Sequence, residues 1–374
     1  MKYRFLLYNI SMKKNITVSK ENAYNFIRLI CALIVIYEYS VALSGIETLP
    51  CLNLRGIAVN VFFILSGFWV TQSYLKCENI GEYAKKRCKK IFPLYFTVVI
   101  FSAIFLVFFS RFSAKEYFSN TGFYEYLIAN LSTLNFIHPT LPGVFEGLAL
   151  GGSVNGSLWT IKIELGFYIL LPFVIYIMQQ ISKKHGEGGY NNIVLFVVYL
   201  FSILYEVFMP VITRNTFLPS SLNNQLPAYL SYFASGMLMV KYWEEILKRI
   251  NIFIIPSAIA FILCTFCDIP FISCFIKPIT LCIIIMWLGL RLKPFYNVGR
   301  QIDYSYAMYL VHYPLIMCFI SVHFFEQNWG LAFLGVLGTT FLFSYILEKM
   351  METINDYSKY RIVQNTDATN KVNS

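Results

Sequence analysis

Charged residues are scarce in this sequence. Asp, Glu, Lys and Arg make up only 13% of the 374 residues, whereas 57% are hydrophobic and 18% are aromatic. Soluble globular domains carry about 25% charged residues. The chain therefore has more apolar side chain than a water-soluble core could bury, and its composition predicts a membrane protein.

The sequence also lacks the patterns that indicate a metal centre or a disulfide framework. Most of its nine cysteines lie inside apolar segments, where a free thiol behaves as a small apolar residue. Cys264 and Cys267 form a single CxxC without a second pair or a nearby histidine, so no metal is expected. Internal repeats and low-complexity tracts are not visible, and no cleavable signal peptide is predicted.

Long apolar runs, in contrast, are abundant. A transmembrane helix needs about 20 mostly apolar residues to cross about 30 Å of hydrocarbon. Ten segments fit this requirement: 24–44, 56–75, 91–110, 156–178, 192–212, 226–241, 251–267, 271–290, 304–324 and 328–348. The predicted fold class is therefore all-α, a polytopic membrane bundle of about ten transmembrane helices.

Basic residues are rare on one predicted side of the membrane. Of 30 Lys and Arg residues, only Arg55, Arg111, Lys115 and Arg214 fall in loops predicted to lie outside. The run KKRCKK, residues 85–90, anchors an inner loop, because basic residues in short loops stay cytoplasmic. Both termini are thus predicted to be cytoplasmic, and the net charge of +10 reflects topology and anionic lipid rather than nucleic acid.

This topology predicts three parts. Residues 1–23 form a cytoplasmic tail, residues 24–348 form the membrane domain, and residues 349–374 form a second cytoplasmic tail that is expected to be disordered. A bacterial inner membrane is the expected location.

Ionisable side chains occur within the first apolar stretch, RLICALIVIYEYS, residues 28–40. Arg28 and Tyr39 are 11 residues apart, so on a helix they lie within about 20° of one stripe and about 16 Å apart. Glu38 falls about 80° off that stripe. An arginine here suits an anionic ligand arriving from the cytosol. A snorkelling or topology-setting role explains its position equally well.

Five further ionisable residues lie within predicted spans, where such groups usually face a bundle interior or a cavity. They are Lys162, Glu164, Glu206, Lys277 and His312. Lys162 and Glu164 are two residues apart and do not face each other on a helix. Isolated Glu206 and Lys277 are explained by packing or snorkelling. For His312 a structural hydrogen bond and a catalytic role are both open.

Five local patterns then occur in a fixed order along the chain. Arg28 opens the first span, GIAVNVFFILSGFWVTQSY forms the second, and KKRCKKIFPLY begins the third. NGSLWTIKIELGFYILLP opens the fourth, and IDYSYAMYLVHYPL lies in the ninth. Together they resemble the acyltransferase 3 family, ten-span membrane proteins that move an acyl group, often acetyl from acetyl-CoA, onto hydroxyls of surface polysaccharides and other extracytoplasmic acceptors.

The resemblance implies an O-acyltransferase with no bound cofactor and with acyl-CoA as donor substrate. It implies that Arg28 holds the acyl-CoA side of a channel, with Arg87 and Lys90 of the basic run as further CoA-binding candidates. It matches four residues as substrate-binding candidates: Ser66, Asn155, Ser157 and Trp159. Membrane lipids and a surface glycan are the other expected partners.

One departure from the family pattern concerns the base. The family has a histidine where this chain has Tyr39. Histidine, with a pKa of about 6.5, suits proton abstraction near neutral pH, whereas tyrosine titrates near 10. Glu38, Glu164 and His312 are the other candidate bases, and Tyr39 is a candidate donor to an oxyanion.

The candidate residues also have simpler explanations. FFILSGF is explained by close helix packing through Ser66 and Gly67, and Trp159 by an interfacial anchor. A catalytically degenerate relative that binds or transports a glycan or lipid-linked intermediate is the alternative function. A polymerase or transporter is disfavoured, because the chain has no repeated halves and no large outer domain.

Overall fold

A computed structural model describes residues 21–45, 53–185, 190–267, 269–300 and 302–372. Helices account for the regular secondary structure of these ranges. They are α1 (Tyr24–Leu43), α2 (Leu54–Leu75), α3 (Ile80–Phe105), α4 (Ala114–Ser119), α5 (Thr121–Leu131), α6 (Trp159–His185), α7 (Tyr190–Asn215), α8 (Leu226–Lys241), α9 (Trp243–Cys267), α10 (Pro270–Arg291), α11 (Ser305–Ser321), α12 (Phe324–Gln327) and α13 (Trp329–Val372). Single 3₁₀ turns lie at Leu106–Phe109, Ala149–Gly152, Gly156–Leu158, Ser220–Asn224 and Lys293–Phe295.

Each predicted apolar segment coincides with one of these helices. In the described part of the chain, eight helices are long and apolar enough to cross a membrane. The two remaining predicted spans, 226–241 and 304–324, form the shorter apolar helices α8 and α11, with 16 and 17 residues. The predicted fold class, an all-α polytopic membrane bundle, is confirmed. The domain boundary at residue 348 falls inside α13, and the division into tails and a membrane domain stays a prediction.

The chain divides into two compact units. The first contains residues up to Glu38, residues 47–87 and residues 159–300, and so includes most of α1, α2 and all of α6 to α10. The second contains residues 39–46, 88–158 and 301–374. Helices α1 and α3 each contribute residues to both units.

Glycines set the closest helix crossing of the first unit, between α2 and α8. A Cβ on Gly67 would lie 2.1 Å from the carbonyl oxygen of Phe233, and one on Gly236 would lie 2.2 Å from that of Ile64. Both distances are far below van der Waals contact, so only glycine permits this approach. Small residues allow such close backbone packing between helices in membranes. The contact at Gly67 agrees with the simpler explanation of the FFILSGF sequence, which is close helix packing.

In the first unit, α1 is fixed at its start by α10. The backbone N–H of Ala23 donates to the carbonyl oxygen of Gly289 at 2.8 Å. The hydroxyl of Tyr24 donates to the carbonyl oxygen of Met286 at 3.3 Å. The Tyr24 ring occupies the space over Gly289, where a Cβ would be 2.0 Å from the ring. The helix that carries Arg28 therefore begins at a defined place on α10.

The second unit consists of the end of α1, most of α3, the long segment 106–158, and α11 to α13. Gly335 of α13 faces the ring of Phe319 on α11, where a Cβ would come within 2.6 Å. The segment between α3 and α6 folds back so that residues near its end contact residues near its beginning. The backbone N–H of Arg111 donates to the carbonyl oxygen of Gly143 at 3.1 Å. It ends in the turn Asn155–Ser157, which packs on α11.

Candidate active site

His312 lies at the centre of the second unit, on α11, with no exposed surface. Its Nδ1 is 3.2 Å from the carbonyl oxygen of Met308, one helical turn earlier. A carbonyl only accepts, so this contact requires the proton on Nδ1 and leaves Nε2 as the unprotonated nitrogen. Nε2 is buried and has no hydrogen-bond partner among the described residues. Buried polar atoms are rarely left unpaired, so Nε2 is a candidate acceptor for a hydrogen bond from a bound molecule.

Tyr39 packs directly against this imidazole. The ring centroids of Tyr39 and His312 are 5.3 Å apart at an interplanar angle of 50°. A second tyrosine, Tyr313, meets the Tyr39 ring edge-on with the centroids also 5.3 Å apart. Tyr309 completes the group, 5.5 Å from His312 between centroids. The second unit thus brings two of the predicted catalytic residues, Tyr39 and His312, into contact.

The turn that precedes α6 is bonded to the backbone of α11. The Nδ2 of Asn155 donates to the carbonyl oxygen of Leu310 at 2.8 Å, and the Ser157 hydroxyl donates to Asn155 Oδ1 at 2.7 Å. The Tyr309 hydroxyl donates back to the carbonyl oxygen of Ser157 at 3.2 Å. Asn155 and Ser157 are both buried. Their polar atoms therefore fix the turn to the helix that carries His312.

Gly156 brings this turn against the tyrosine beside the site. A Cβ at Gly156 would lie 2.9 Å from the ring and the hydroxyl of Tyr313. A side chain at this position would therefore displace Tyr313, which packs on Tyr39. The asparagine, glycine and serine of the NGS sequence act together in placing the aromatic group.

Glu164 belongs to the first unit and is held by a tyrosine one turn later on α6. The Tyr168 hydroxyl donates to Glu164 Oε1 at 2.5 Å, and the Tyr83 hydroxyl donates to the carbonyl oxygen of Tyr168 at 3.0 Å. The guanidinium of Arg87 lies 5.7 Å from the centroid of the Tyr168 ring, within the range of a cation–π contact. Tyr168 thus contacts two candidate residues, Glu164 and Arg87.

Arg87 is distinct from the rest of the basic run. Its Nη2 donates to the hydroxyl of Ser73 at 2.9 Å, and its Nε is buried without a hydrogen-bond partner among the described residues. Lys85, Lys89 and Lys90, in contrast, are exposed. Arg87 therefore has a donor directed into the protein, whereas Lys90 presents its charge at the surface.

The remaining candidates of the first unit lie on three helices. Arg28 and Glu38, both half-buried, are on α1. Trp159 begins α6, and its ring packs against that of Tyr229 with the centroids 5.7 Å apart. Ser66 on α2 is half-buried, and its hydroxyl has no hydrogen-bond partner among the described residues.

Metal-ligand clusters and disulfides are absent from the described ranges. No group of three His, Cys, Asp or Glu side chains in these ranges is placed to hold a metal ion. The eight cysteines that the structure describes are free thiols. The side chains described above offer imidazole, phenol, carboxylate and guanidinium groups.

A cavity of about 410 Å³ also lies within the second unit. It is lined by α3, α11 and α13, through residues such as Phe101, Phe105, Val311, Leu315 and Met350. The lining is almost entirely apolar. It offers no base or charge for a group transfer, which separates it from the chemistry at His312.

Sequence reasoning missed the tyrosines around the candidate residues. Tyr309 and Tyr313 stand three residues before and one after His312, inside the pattern IDYSYAMYLVHYPL, and Tyr168 stands four residues after Glu164. The spacing of Tyr168 places it one helical turn from Glu164, and the same rule pairs Tyr309 with Tyr313. These one-turn spacings were the sequence signal from which the tyrosine contacts could have been predicted.

Comparison with known proteins identifies relatives over most of the chain. Residues 21–349 match the acyltransferase 3 family, described as an acyltransferase domain. An O-acetyl transferase of Shigella phage Sf6 is 25% identical over 194 residues, 48% of this chain and 51% of that protein. Nodulation protein 10 of Rhizobium leguminosarum bv. viciae is 24% identical over 300 residues, 76% of this chain and 78% of that protein.

A further relative is longer than this chain. O-acetyltransferase OatA of Staphylococcus aureus is 24% identical over 351 residues, which cover 82% of this chain and 52% of that protein. The chain therefore spans about half the length of OatA and of the phage O-acetyl transferase in these matches. No solved structure matches this chain.

Proposed function

Because the chain belongs to the acyltransferase 3 family, we propose that it is a membrane O-acyltransferase that moves an acyl group from cytosolic acyl-CoA to a hydroxyl of a surface or exported glycan. Acetyl is the first candidate for the group, since two relatives carry the name O-acetyltransferase or O-acetyl transferase. The observation that supports a working site in this chain is the buried, unpartnered Nε2 of His312 beside Tyr39.

His312 takes the role of general base in this proposal. The acceptor hydroxyl oxygen attacks the thioester carbon while Nε2 of His312 accepts the hydroxyl proton. The tetrahedral oxyanion then collapses, the carbon–sulfur bond breaks, and the CoA thiolate leaves and takes up the proton. Met308 supports this role because its carbonyl holds Nδ1–H and so keeps the lone pair on Nε2. A neutral imidazole held in one tautomer needs no further base.

Tyr39 then acts as a donor rather than as the base. A phenol titrates near 10, so at neutral pH it keeps its proton and can donate a hydrogen bond. Placed against the imidazole, it is positioned to stabilise the oxyanion that forms on the thioester oxygen. Glu38 and Glu164 are the other candidate bases. Glu164 already accepts a hydrogen bond from Tyr168, which favours a positioning role over proton abstraction.

Three basic residues are assigned to the donor. Arg28, Arg87 and Lys90 carry permanent positive charge toward the predicted cytosolic side, where the phosphates of CoA are found. Arg87 is favoured as a direct ligand because its buried Nε has no partner among the described residues, and guanidinium groups suit phosphate geometry. We place the protein in a bacterial inner membrane with both termini in the cytoplasm.

The acceptor side is assigned to the region of Trp159 and Ser66. The ring of Trp159 is half-buried, so one part of it is available for stacking on a sugar. Asn155 and Ser157 have polar atoms bonded to α11 or to each other. We assign these two residues to fixing the turn before α6 against the helix that carries His312.

The test compares alkali-labile acyl esters on the host's surface glycans by mass spectrometry. The strains are wild type, a deletion, and the deletion carrying either the normal gene or Arg28→Ala, with membrane levels matched by immunoblot. We expect one ester to vanish on deletion and to return only with the normal gene. Purified protein should also release CoA thiol from acetyl-CoA when the acceptor is present.

The substitution of tyrosine for the family's histidine favours a second candidate function. In that case the chain is a catalytically degenerate relative that binds or transports a glycan or a lipid-linked intermediate. Unchanged esters in the deletion strain, together with glycan binding and no CoA release by the purified protein, would establish this function and overturn the first.

A further inference from the structure

The segment between α3 and α6 packs along α3 well below the end of that helix. The Tyr117 hydroxyl on α4 donates to the carbonyl oxygen of Ala103 at 2.7 Å. Farther along, the Tyr95 hydroxyl of α3 donates to the carbonyl oxygen of Asn130, at the end of α5, at 2.7 Å. The chain therefore leaves α3 at Phe105 and runs back along it to the level of Tyr95, about 15 Å below at 1.5 Å per residue.

This level lies inside the bilayer. Lys90, the last residue of the basic run, is only five residues before Tyr95, which is about 7.5 Å of helix. The hydrocarbon layer is about 30 Å thick, and α3 must cross it beyond the basic run. This crossing takes about 20 residues, which include the rest of α3 and the turn after it. If the hydrocarbon layer began at the basic run and ended before the level of the contact between Tyr95 and Asn130, it would be far thinner than about 30 Å.

Helix α5 carries apolar side chains on its buried face and on its outer side, where Glu125 is the one charged side chain, 51% exposed. Apolar residues around so much of a helix are unusual at a water-exposed surface. One face is buried in the unit through Phe123, Tyr126, Ala129 and Asn130. The opposite face and the turn after it are exposed, with these exposed fractions: Tyr124 55%, Ile128 69%, Leu134 43%, Phe136 60% and Ile137 52%. The surface of these five side chains is called the α5 outer face below.

Several polar groups of this segment have partners within it, which lowers the cost of placing them in hydrocarbon. The side-chain amide of Asn130 donates to the carbonyl oxygens of Tyr126 and His138 at 2.9 and 3.0 Å. After α5 the N–H of Leu134 donates to Ala129 O at 2.8 Å. From Thr121 to His138 the ionisable side chains other than tyrosine are Glu125 and His138, which are 51% and 45% exposed and have 3.6 Å between Oε2 and Nδ1. Ionisable groups at membrane depth are usually paired in this way.

From these observations we propose that residues 114–138 form a re-entrant segment, and that the α5 outer face contacts the hydrocarbon chains of bilayer lipids. The end of α3 and the 3₁₀ turn after it also expose apolar side chains, with Ile104 55% and Phe108 79% exposed. The proposal rests on α3 crossing the membrane and not on the reaction, so it stands or falls separately from the acyltransferase assignment.

The experiment places a tryptophan on the α5 outer face and measures quenching by lipid. Phe136→Trp and Ile128→Trp are reconstituted in nanodiscs of ordinary lipid or of lipid brominated at mid-chain. The matched control is Phe217→Trp, in the loop after α7, where the side chain is 98% exposed. The added fluorescence is read as the difference from the unsubstituted protein, and gel filtration checks that each variant is monodisperse.

For Phe136→Trp and Ile128→Trp we expect the brominated lipid to quench most of the added fluorescence and aqueous iodide to leave it nearly unchanged. The control should show the reverse. Quenching of the Phe136→Trp signal by iodide, with little effect of bromine, would place the segment in water and overturn the proposal. Phe136→Trp is a conservative change at an exposed position, so this reading remains available if Ile128→Trp fails to fold.

Discussion

Replacement of His312 by asparagine tests the base directly. The side-chain amide of asparagine reaches the position of ring Nδ1 and can still donate to the carbonyl of Met308, a contact of 3.2 Å in the native protein. The lone pair of Nε2 is lost. General acid–base catalysis by one side chain contributes about 10²–10⁴-fold, or about 3–5 kcal/mol of transition-state stabilisation. We therefore expect acyl transfer by His312→Asn to fall by about that factor.

The assay measures CoA thiol release from acetyl-CoA by purified protein in nanodiscs, with the acceptor present. The control is His323→Asn, at a histidine that follows α11, pairs with Glu326 and has a side chain 68% exposed. We expect the control to keep full activity. A His312→Asn protein that folds and keeps more than about a tenth of native activity would refute the reasoning, since loss of a base costs about 10²-fold or more.

Three further substitutions test the site and the fold. Tyr39→Phe keeps the ring against His312 but removes the hydroxyl proposed to stabilise the oxyanion, and we expect it to lower kcat by about 10²–10³-fold in the same CoA-release assay. Tyr168→Phe removes the hydroxyl that donates to Glu164, a bond to a charged group worth about 1.5–3 kcal/mol, so we expect a lower kcat with an unchanged KM for acyl-CoA. Gly67→Ala adds a Cβ 2.1 Å from a backbone oxygen of α8 and should lower the thermal midpoint in detergent, since overpacking costs about 1–3 kcal/mol.

Each of these has its own control or contrary result. An unchanged kcat for Tyr39→Phe would contradict the proposed role of the Tyr39 hydroxyl. Tyr83→Phe, which removes a bond to the backbone of Tyr168, should leave kcat unchanged, and an equal loss there would show a general effect on packing. Gly338→Ala in α13 meets no atom within 4 Å and should not lower the thermal midpoint.

The helical architecture was predictable because a bilayer leaves few alternatives. Backbone polar groups in hydrocarbon must be satisfied within the segment, so an apolar run of sufficient length becomes a helix. The ten apolar runs accordingly gave the positions of ten helices. The segment between α3 and α6 was different, because its helices α4 and α5 are short and their length does not distinguish them from a surface loop.

The candidate site was only partly predictable. The family pattern pointed to position 39 and to His312, but sequence spacing has no information on whether side chains from distant helices meet. The contact between the Tyr39 and His312 rings arises in the packing of the second unit. The orientation of the imidazole likewise depends on one backbone carbonyl, that of Met308.

By itself, then, the sequence determined that this chain is an all-α membrane protein with about ten spanning helices, because apolar length and the cost of unpaired backbone groups in lipid decide that locally. Only the tertiary structure decided that the rings of Tyr39 and His312 meet and how deep α5 lies along α3. Both depend on contacts between residues far apart in the chain, and no local pattern of residues specifies such contacts.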